Sequence, residues 1–434
     1  MGFHHGLSGL NASNKNLDVI GHNISNSNTV GFKSSRAEFN EMVASAMGAS
    51  STNNTGIGVS VSAVSQQFTQ GVITPSSNGL DMAINGDGFF VVNTPSGTAF
   101  TRNGAFQLNK AGEMVTVNGD KVQGYKVDAS TDTRSSVVLS DLVFPTGAPI
   151  EAKPTSQVTA TLNLDATEET ATANTSRALF GTSLEVFDSQ GMATPLAMYF
   201  TKADGNTWNV YSNINAAEQP DPVARLEFGP TGRISRATEP ELAVDDTGNP
   251  VLDNDGNRFY KEIDIKALKF TVKATNPNAT PGVNPVQNIT VDVDLSGVSQ
   301  LGSKFSVAKL TQDGYASGEL TAVNVGSDGT LMATYSNGIT RAEAQVALAK
   351  FTNTQGLVPD GNNNWVSSND SGPAVYGAAG SGSFGTIIGS ALEESNVDLT
   401  AQLVNMMTAQ RAYQANAQTI KTQDQIFSTL VNLR

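Results

Sequence analysis

The chain has no cysteine among its 434 residues and only three histidines. The missing cysteines exclude disulfide bonds, thiolate metal sites and a cysteine nucleophile. The histidines are His4, His5 and His22, so all of them lie at the start of the chain. A Ser-His-Asp set elsewhere in the chain would lack its histidine, and the sequence therefore predicts no enzyme.

Long hydrophobic runs and a basic charge excess are also absent. No run of about 18 apolar residues occurs, so the sequence predicts no membrane-spanning helix. Residues 1–23 have neither the basic segment nor the apolar core of a cleaved signal peptide. The acidic residues outnumber the basic ones by 40 to 26, which gives a formal net charge of −14. A field of this sign repels nucleic acids and anionic lipids, so neither is expected as a partner.

Short strands joined by turns are the prevailing pattern in what is present. The chain has 41 glycines, and Asn-Gly pairs at 85–86, 103–104 and 118–119 separate short apolar runs. Asn-Gly favours the positive φ angles of hairpin turns, so each pair predicts a hairpin. These strands predict a β domain formed by residues 71–145 and 313–359.

A second β domain is predicted within the first. Residues 146–312 hold most of the 16 prolines and alternate strand-like pieces with polar loops. A chain of this length is expected to form about two to four domains. We therefore predict that residues 146–312 form an all-β domain inserted into a loop of the first one.

Both ends of the chain carry apolar residues at alternating steps of four and three, which places them along one seam of a helix. The seam residues are Leu7, Leu10, Leu17, Ile24, Leu399, Leu403, Met406, Tyr413, Ile420 and Phe427. Periodicity alone leaves open whether each helix covers its own domain or meets another helix. Their place at opposite chain ends favours an open coiled-coil-like layer, typical of self-assembling subunits. This layer comprises residues 1–30 and 396–434, with connecting segments 31–70 and 360–395.

Candidate metal sites are weak. His4 and His5 are adjacent and point to different sides of a helix, without an acidic partner one turn away. Asp253, Asp255 and Asn257 have the spacing of an EF-hand opening. However, Arg258 stands where that loop needs glycine, and Asp264 stands where it needs glutamate. A turn is favoured there, and no metal or cofactor is predicted.

Four blocks of sequence resemble the flagellar rod and hook protein family. The amino-terminal block is GLSGLNASNKNLDVIGHNISNSNTVGFKSSRAEF, and the carboxyl-terminal block is LEESNVDLTAQLVNMMTAQRAYQANAQTIKTQDQIFSTLVNLR. The two inner blocks are SSNGLDMAINGDGFFVV at 76–92 and TRNGAFQLNKAGEMV at 101–115. Hook-type members carry an extra β domain where this chain has residues 146–312. Residues 45–63 lack the long extra stretch of distal-rod members, so the resemblance favours a hook subunit.

The resemblance implies a structural subunit that polymerises into a hollow, bendable tube acting as a universal joint between rod and filament. The terminal helices would line the tube, and the inserted domain would form its outer surface. The implied partners are other copies of the chain, rod proteins, a hook cap, hook–filament junction proteins and the flagellar export apparatus. Export would proceed through the central channel without a cleaved signal peptide, to the hook outside the cell.

Two alternatives remain at this point. One is a distal-rod type of axial protein. The other is an exported adhesin with a carbohydrate-binding groove in residues 146–312, built from Asn, Asp and Trp208. Electron microscopy of the purified protein would separate tubes from dispersed monomers with bound glycan.

Two further expectations concern the chain ends. Phe39 and Val43 have the form Phe-x-x-x-apolar, which resembles a recognition motif of early flagellar export substrates. Phe3 and Leu7 share that form, and Phe39 could equally pack between the inner and middle layers. Short helices rich in glycine are marginal in water, so both ends are expected to be largely disordered in the monomer.

Overall fold

The computed structural model describes residues 2–43, 56–128, 133–134, 138–146, 149–172, 175–215, 219, 221–240, 260–272 and 288–432. Strands are the commonest secondary structure among these residues, and an α-helix lies towards each end of the chain. The predicted fold class, mainly β with terminal helices, is confirmed.

The helices are α1 (Gly2–Ser25) and α2 (Leu399–Asn432), and two short 3₁₀ helices span Arg177–Phe180 and Thr354–Gly356. The start of α2 is capped by Asp398, whose Oδ1 accepts a hydrogen bond from the backbone N–H of Ala401 at 3.1 Å. The helix contains neither glycine nor proline, so no residue in it favours a break.

The strands follow in chain order. The first eleven are β1 (Ser35–Val43), β2 (Gly56–Gln66), β3 (Ile73–Pro75), β4 (Met82–Asn85), β5 (Phe89–Thr94), β6 (Gly97–Thr101), β7 (Phe106–Leu108), β8 (Met114–Thr116), β9 (Lys121–Asp128), β10 (Thr133–Arg134) and β11 (Ser140–Asp141). The next eleven are β12 (Gln157–Asp165), β13 (Gly181–Phe187), β14 (Ala193–Lys202), β15 (Thr207–Tyr211), β16 (Ala224–Phe228), β17 (Ile234–Pro240), β18 (Tyr260–Glu262), β19 (Leu268–Val272), β20 (Ile289–Asp294), β21 (Ser299–Leu301) and β22 (Ser306–Gln312). The last eight are β23 (Leu320–Val325), β24 (Thr330–Tyr335), β25 (Thr340–Lys350), β26 (Val358–Gly361), β27 (Asn364–Val366), β28 (Val375–Ala378), β29 (Thr386–Gly389) and β30 (Ala391–Glu393).

The chain divides into two compact units. The first is Met1–Gly147 with Leu320–Arg434, and the second is Ala148–Glu319. The second unit thus interrupts the first in sequence, close to the predicted insertion at 146–312. Its end lies beyond residue 312 because β-bridges join Ile150 to Gly318 and Lys153 to Tyr315.

The first unit is built around one large sheet. Its main strand order is β23-β24-β25-β9-β5-β6-β27-β26, while β1 and β2 form a separate antiparallel hairpin. Strands β27 and β28 pair with β6 and β25, and β29 pairs with β4. Residues 360–395, predicted to be a connecting segment, therefore belong to the β structure. The β6–β27 and β4–β29 pairings join residues more than 250 positions apart, which hid them from local patterns.

Only one of the three Asn-Gly pairs closes a hairpin between consecutive strands. Asn118-Gly119 joins β8 to β9, and Gly119 has a φ of +90°. Asn85-Gly86 follows β4, whose partner is β29 rather than β5. Asn103-Gly104 separates β6 from β7, which pair with other strands. Gly86 and Gly119 have the positive φ angles that Asn-Gly favours, whereas Gly104 does not, and distant strands determined the pairing.

The second unit contains two sheets around a single apolar core. One is six-stranded and antiparallel, with β13 to β18 in chain order. The other has the order β19-β20-β12-β21, with β22 on β12. Inward-facing residues alternate along the strands, as in Leu196, Met198 and Phe200 of β14. Trp208 is completely buried in this core.

Candidate assembly surface

Helices α1 and α2 pack against each other in antiparallel directions within the single chain. Gly6 faces Ile420 and Gly9 faces Asn416. A Cβ atom on Gly6 would lie 2.8 Å from Cγ1 of Ile420, closer than carbon atoms normally approach. Glycine therefore permits the close spacing of the two helices. We expected largely disordered ends in the monomer because glycine weakens a helix. The packing that these glycines allow within the single chain contradicts that expectation.

The seam predicted from the sequence is only partly covered by this pairing. Its half-buried members are Leu10, Leu17, Ile24, Met406 and Ile420. Its exposed members are Leu7, Leu399, Leu403, Tyr413 and Phe427, with 37 to 63% of each residue accessible. The buried apolar residues of the two helices are Ala12, Val19, Ile20 and Ala409, which the seam did not include. Steps of four and three identify a helix face, but they do not show which part of it meets a partner.

Among the described residues, all the large exposed apolar ones of the helices except Tyr413 fall into two groups. We name Leu399, Leu403, Val404 and Met407 the outer ridge, because they lie on the first turns of α2. Leu399, Leu403 and Met407 are four residues apart and so share one face of the helix. We name Phe3, Leu7, Ile426 and Phe427 the free tip, because antiparallel packing places the start of α1 beside the end of α2. Both groups are uncovered in the single chain.

The other side of α1 lies against the β1–β2 hairpin. His5 Nε2 is hydrogen-bonded to the backbone oxygen of Gly56 at 2.7 Å. The backbone N–H of Val59 donates to the hydroxyl of Ser8 at 3.3 Å. Near the end of α1, the side chain of Asn23 binds the backbone of Ser35. The hairpin therefore supports α1 along its length.

A buried cluster of charges connects the helix pair to the sheet. We name it, with its surrounding segments 29–35, 66–72 and 393–397, the basal joint. The carboxylate of Glu393 accepts hydrogen bonds from Lys33 Nζ at 2.6 Å and from Arg102 Nη1 at 3.1 Å. The side chains of Lys33 and Glu393 are fully buried, and that of Arg102 is nearly so.

Lys33 and Arg102 also donate to backbone oxygens, whereas the buried Nε of Arg102 has no hydrogen-bond partner. Lys33 Nζ donates to the backbone oxygen of Thr69 at 2.8 Å, and Arg102 Nη2 donates to that of Gly86 at 2.7 Å. Burial lowers the pKa of Lys33 and of Arg102, because removal from water penalises a positive charge. The carboxylate of Glu393 opposes this effect on both. No local sequence pattern marks this cluster, since its members are separated by up to 360 residues.

The candidate export motif lies on β1. Phe39 stands opposite Val61 in the hairpin, and 39% of Phe39 is exposed. It is therefore not packed into a core of this chain. The side chain of Val43 lies outside the described residues. The export role of this motif remains a prediction.

The other candidate sites contribute no chemistry within the described part of the chain. No group of three or more His, Asp or Glu side chains there could hold a metal ion. Asp253, Asp255, Asn257 and Arg258 lie outside the described residues, while Asp264 Oδ1 accepts a turn hydrogen bond from the N–H of Lys266. Trp208 is buried, so it cannot line the carbohydrate groove of the adhesin alternative. Neither helix, over its described residues, is long and apolar enough to cross a membrane.

Four family models together match residues 3–33, 83–315 and 388–433, and they define a structural protein of the flagellar axis. A flagella basal body rod protein model matches residues 3–33, and a flagellar basal body rod FlgEFG protein C-terminal model matches residues 388–433. The flagellar hook protein FlgE/F/G D1 domain model matches residues 83–159. The flagellar basal body protein FlaE D2 domain model matches residues 156–315.

Full-length relatives make the assignment specific. The chain is 36% identical to the flagellar hook protein FlgE of Escherichia coli over 446 residues, with 100% of both chains covered. It is 31% identical to the flagellar hook protein FlgE of Treponema pallidum, covering 99% of this chain and 98% of the relative. This chain belongs to the flagellar hook protein family.

A solved structure is also similar in part. The crystal structure of Helicobacter pylori flagellar hook protein FlgE2 aligns with a TM-score of 0.46 at 14% identity. The alignment covers 74% of this chain and 100% of that one.

Proposed function

We propose that this chain is a structural subunit of the flagellar hook that polymerises with its own copies into a hollow, flexible tube transmitting torque from rod to filament. The observation that carries the proposal is the pair of uncovered apolar groups on the terminal helices, the outer ridge and the free tip. They lie at different places on one helix pair. A contact between two different surfaces is heterologous and propagates without closing on itself, as an open-ended helical polymer requires.

Burial of these residues between copies would stabilise the polymer. Each is roughly half exposed in the single chain, so covering it contributes roughly 1 kcal/mol. Several such residues act in every subunit, and each subunit has several neighbours. Their sum has to exceed the entropy lost when a subunit is immobilised.

In the proposed tube, the helices of residues 1–30 and 396–434 line the channel. The sheet of the first unit forms the wall, and the inserted unit forms the outer surface. Small polar contacts between the outer units can exchange partners at little cost, which would let the tube bend. The partners we propose at its ends are rod, cap and junction proteins, and the chain would reach this place through the export apparatus.

The test places a charge on the outer ridge. Leu403→Asp should abolish tubes in electron micrographs of the purified protein, because an aspartate cannot be buried there unpaired. Gln418→Asp is the matched control, since Gln418 is exposed on the same helix outside the ridge. It should assemble like the wild type. Tubes of normal length from the Leu403→Asp variant would contradict the proposed role of the ridge.

A further inference from the structure

Both terminal helices reach the sheet of the first unit through the basal joint. Lys33 lies in the segment between α1 and β1, and Glu393 ends β30, shortly before α2. Glu393 binds the α1 side twice: its carboxylate accepts from Lys33 Nζ, and its backbone oxygen accepts from the N–H of Gly31 at 2.8 Å. The joint therefore ties the two helix connectors to each other.

The joint also ties both connectors to the sheet. Arg102 directly follows β6 and binds the same carboxylate as Lys33. Oε1 of Glu393, which accepts from Lys33, also accepts a hydrogen bond from the backbone N–H of Gly71 at 2.8 Å. One buried carboxylate thus holds four segments that are far apart in sequence.

The approach of these segments leaves little room. Gly31 has a φ of +69°, and a Cβ there would lie 2.6 Å from the backbone of Arg102 and Asn103. The α1 connector can sit on the end of β6 only because residue 31 is glycine. Asn396 adds a further bond, since its Oδ1 accepts from the N–H of Ser34 at 2.7 Å.

We propose that Glu393 is a conformational latch that fixes the direction of the α1–α2 pair relative to the sheet of the first unit. With the carboxylate in place, its single negative charge is shared by two buried cations, and the connectors close together. Without it, Lys33 and Arg102 would be left buried beside each other, with only the exposed Asp87 as a nearby counter-charge to Arg102, so the joint must open to admit water. The helix pair then stays folded but loses its fixed direction. This behaviour belongs to the single chain and needs no polymer.

The absence of cysteine allows a direct measurement. Cysteines introduced at Gln410 on α2 and at Ser96 in the β5–β6 turn, both exposed positions, carry two spin labels. Pulsed electron paramagnetic resonance on the monomer then reports the distance between helix pair and sheet. We expect one narrow distance distribution in the otherwise wild-type chain and loss of that single peak in Glu393→Gln. Glu394→Gln, at the exposed neighbouring carboxylate, should keep the narrow peak.

Two further variants distinguish an effect of Glu393 on the direction of the helix pair from an effect on the stability of the folded chain. Lys33→Met leaves Arg102 and Glu393 as a neutral pair, so its peak should stay narrow. If Glu393→Gln loses the circular dichroism of the sheet, Lys33→Met/Glu393→Gln is measured instead, because it buries only one unpaired cation. A broad distribution in this folded double variant supports the latch. A narrow peak in either Glu393 variant would overturn the proposal, because the β1–β2 hairpin would then hold the helices in place. Unfolding of both variants would also overturn it, because the cluster would then stabilise the whole core rather than the direction of the helices.

Discussion

Asn23 and Ser35 bind each other reciprocally at the point where α1 gives way to the β1–β2 hairpin. Nδ2 of Asn23 donates to the backbone oxygen of Ser35 at 2.7 Å, and the backbone N–H of Ser35 donates to Oδ1 of Asn23 at 2.8 Å. Only 1% of Asn23 is exposed. One side chain thus supplies the two hydrogen bonds that a second neighbouring strand would give to the backbone of Ser35, which faces Gln66 of β2 on its other side.

The first prediction follows from this pair. Asn23→Ala should lower the free energy of unfolding by about 2 kcal/mol, because it leaves both backbone groups of Ser35 unpaired. Urea denaturation followed by circular dichroism measures the loss. Asn40→Ala is the control, since Asn40 is exposed and makes one hydrogen bond to Ser62. It should change the free energy by less than about 0.5 kcal/mol. Equal effects of the two variants would contradict the structural role of Asn23.

The second prediction compares two glycines of α1. A Cβ on Gly21 would meet no atom within 4 Å, whereas one on Gly6 would collide with Ile420. Gly21→Ala should therefore stabilise the helix by about 1 kcal/mol through its higher helix propensity. Gly6→Ala gains the same propensity but should weaken the α1–α2 contact. Amide hydrogen exchange of α1 should slow in the first variant and quicken in the second. Slower exchange in both variants would show that the helices can move apart without destabilising α1.

The third prediction concerns acid stability of the second unit. Burial alone would raise the pKa of Asp313, but hydrogen bonds from the N–H groups of Gln157 and Ser156 and from the Ser156 hydroxyl lower it to about 2. Lys153 Nζ, at 3.1 Å, acts in the same direction. The folded pKa thus lies below the unfolded value of 3.8. The stabilisation is therefore fully present above the unfolded pKa and is lost as the pH falls towards 2.

Denaturation of the wild type and of Asp313→Asn at several pH values checks this. The difference between their unfolding free energies should shrink by on the order of 2 kcal/mol between pH values well above 4 and about 2. Glu185→Gln is the control, because Glu185 is an exposed carboxylate on β13 of the same unit. A difference for Asp313→Asn that stays constant with pH would mean that the charge of Asp313 does not contribute.

The fourth prediction concerns Phe39 as an export signal. Its side chain is exposed on the hairpin, so Phe39→Ala should reduce secretion while leaving thermal unfolding almost unchanged. Val61→Ala, at the equally exposed residue opposite Phe39, is the control and should be secreted normally. Secretion is measured as the amount of the chain in the culture medium. Normal secretion of the Phe39 variant would exclude the motif.

Local patterns predicted the elements of this fold better than their partners. The four-three spacing around Met406 and Ile420 correctly indicated a helix with one covered face. It could not show that Leu403 stays exposed, because that depends on which residues the neighbouring helix reaches. Asn118-Gly119 formed its hairpin, whereas the strand ending at Asn85 pairs with one some 300 residues later in the sequence.

The basal joint shows why contacts between distant residues could not be predicted from the sequence. A lone lysine, arginine or glutamate in a sequence is most often a solvated surface residue. Lys33, Arg102 and Glu393 are buried only because the fold brings them together. Nothing near any of them in the sequence marks this. The role of Gly6 could not be predicted for the same reason, since it depends on close packing against a residue more than 400 positions away.

The antiparallel helix pair has a practical consequence for anyone who wants to label this protein. Gly2 and Asn432 lie at the same end of the pair, beside the free tip. An affinity tag or fluorescent protein fused to either terminus would therefore crowd the same apolar residues. The turn between β14 and β15 is a better insertion point. Asp204 and Gly205 are exposed there, and a Cβ on Gly205 would touch no neighbouring atom.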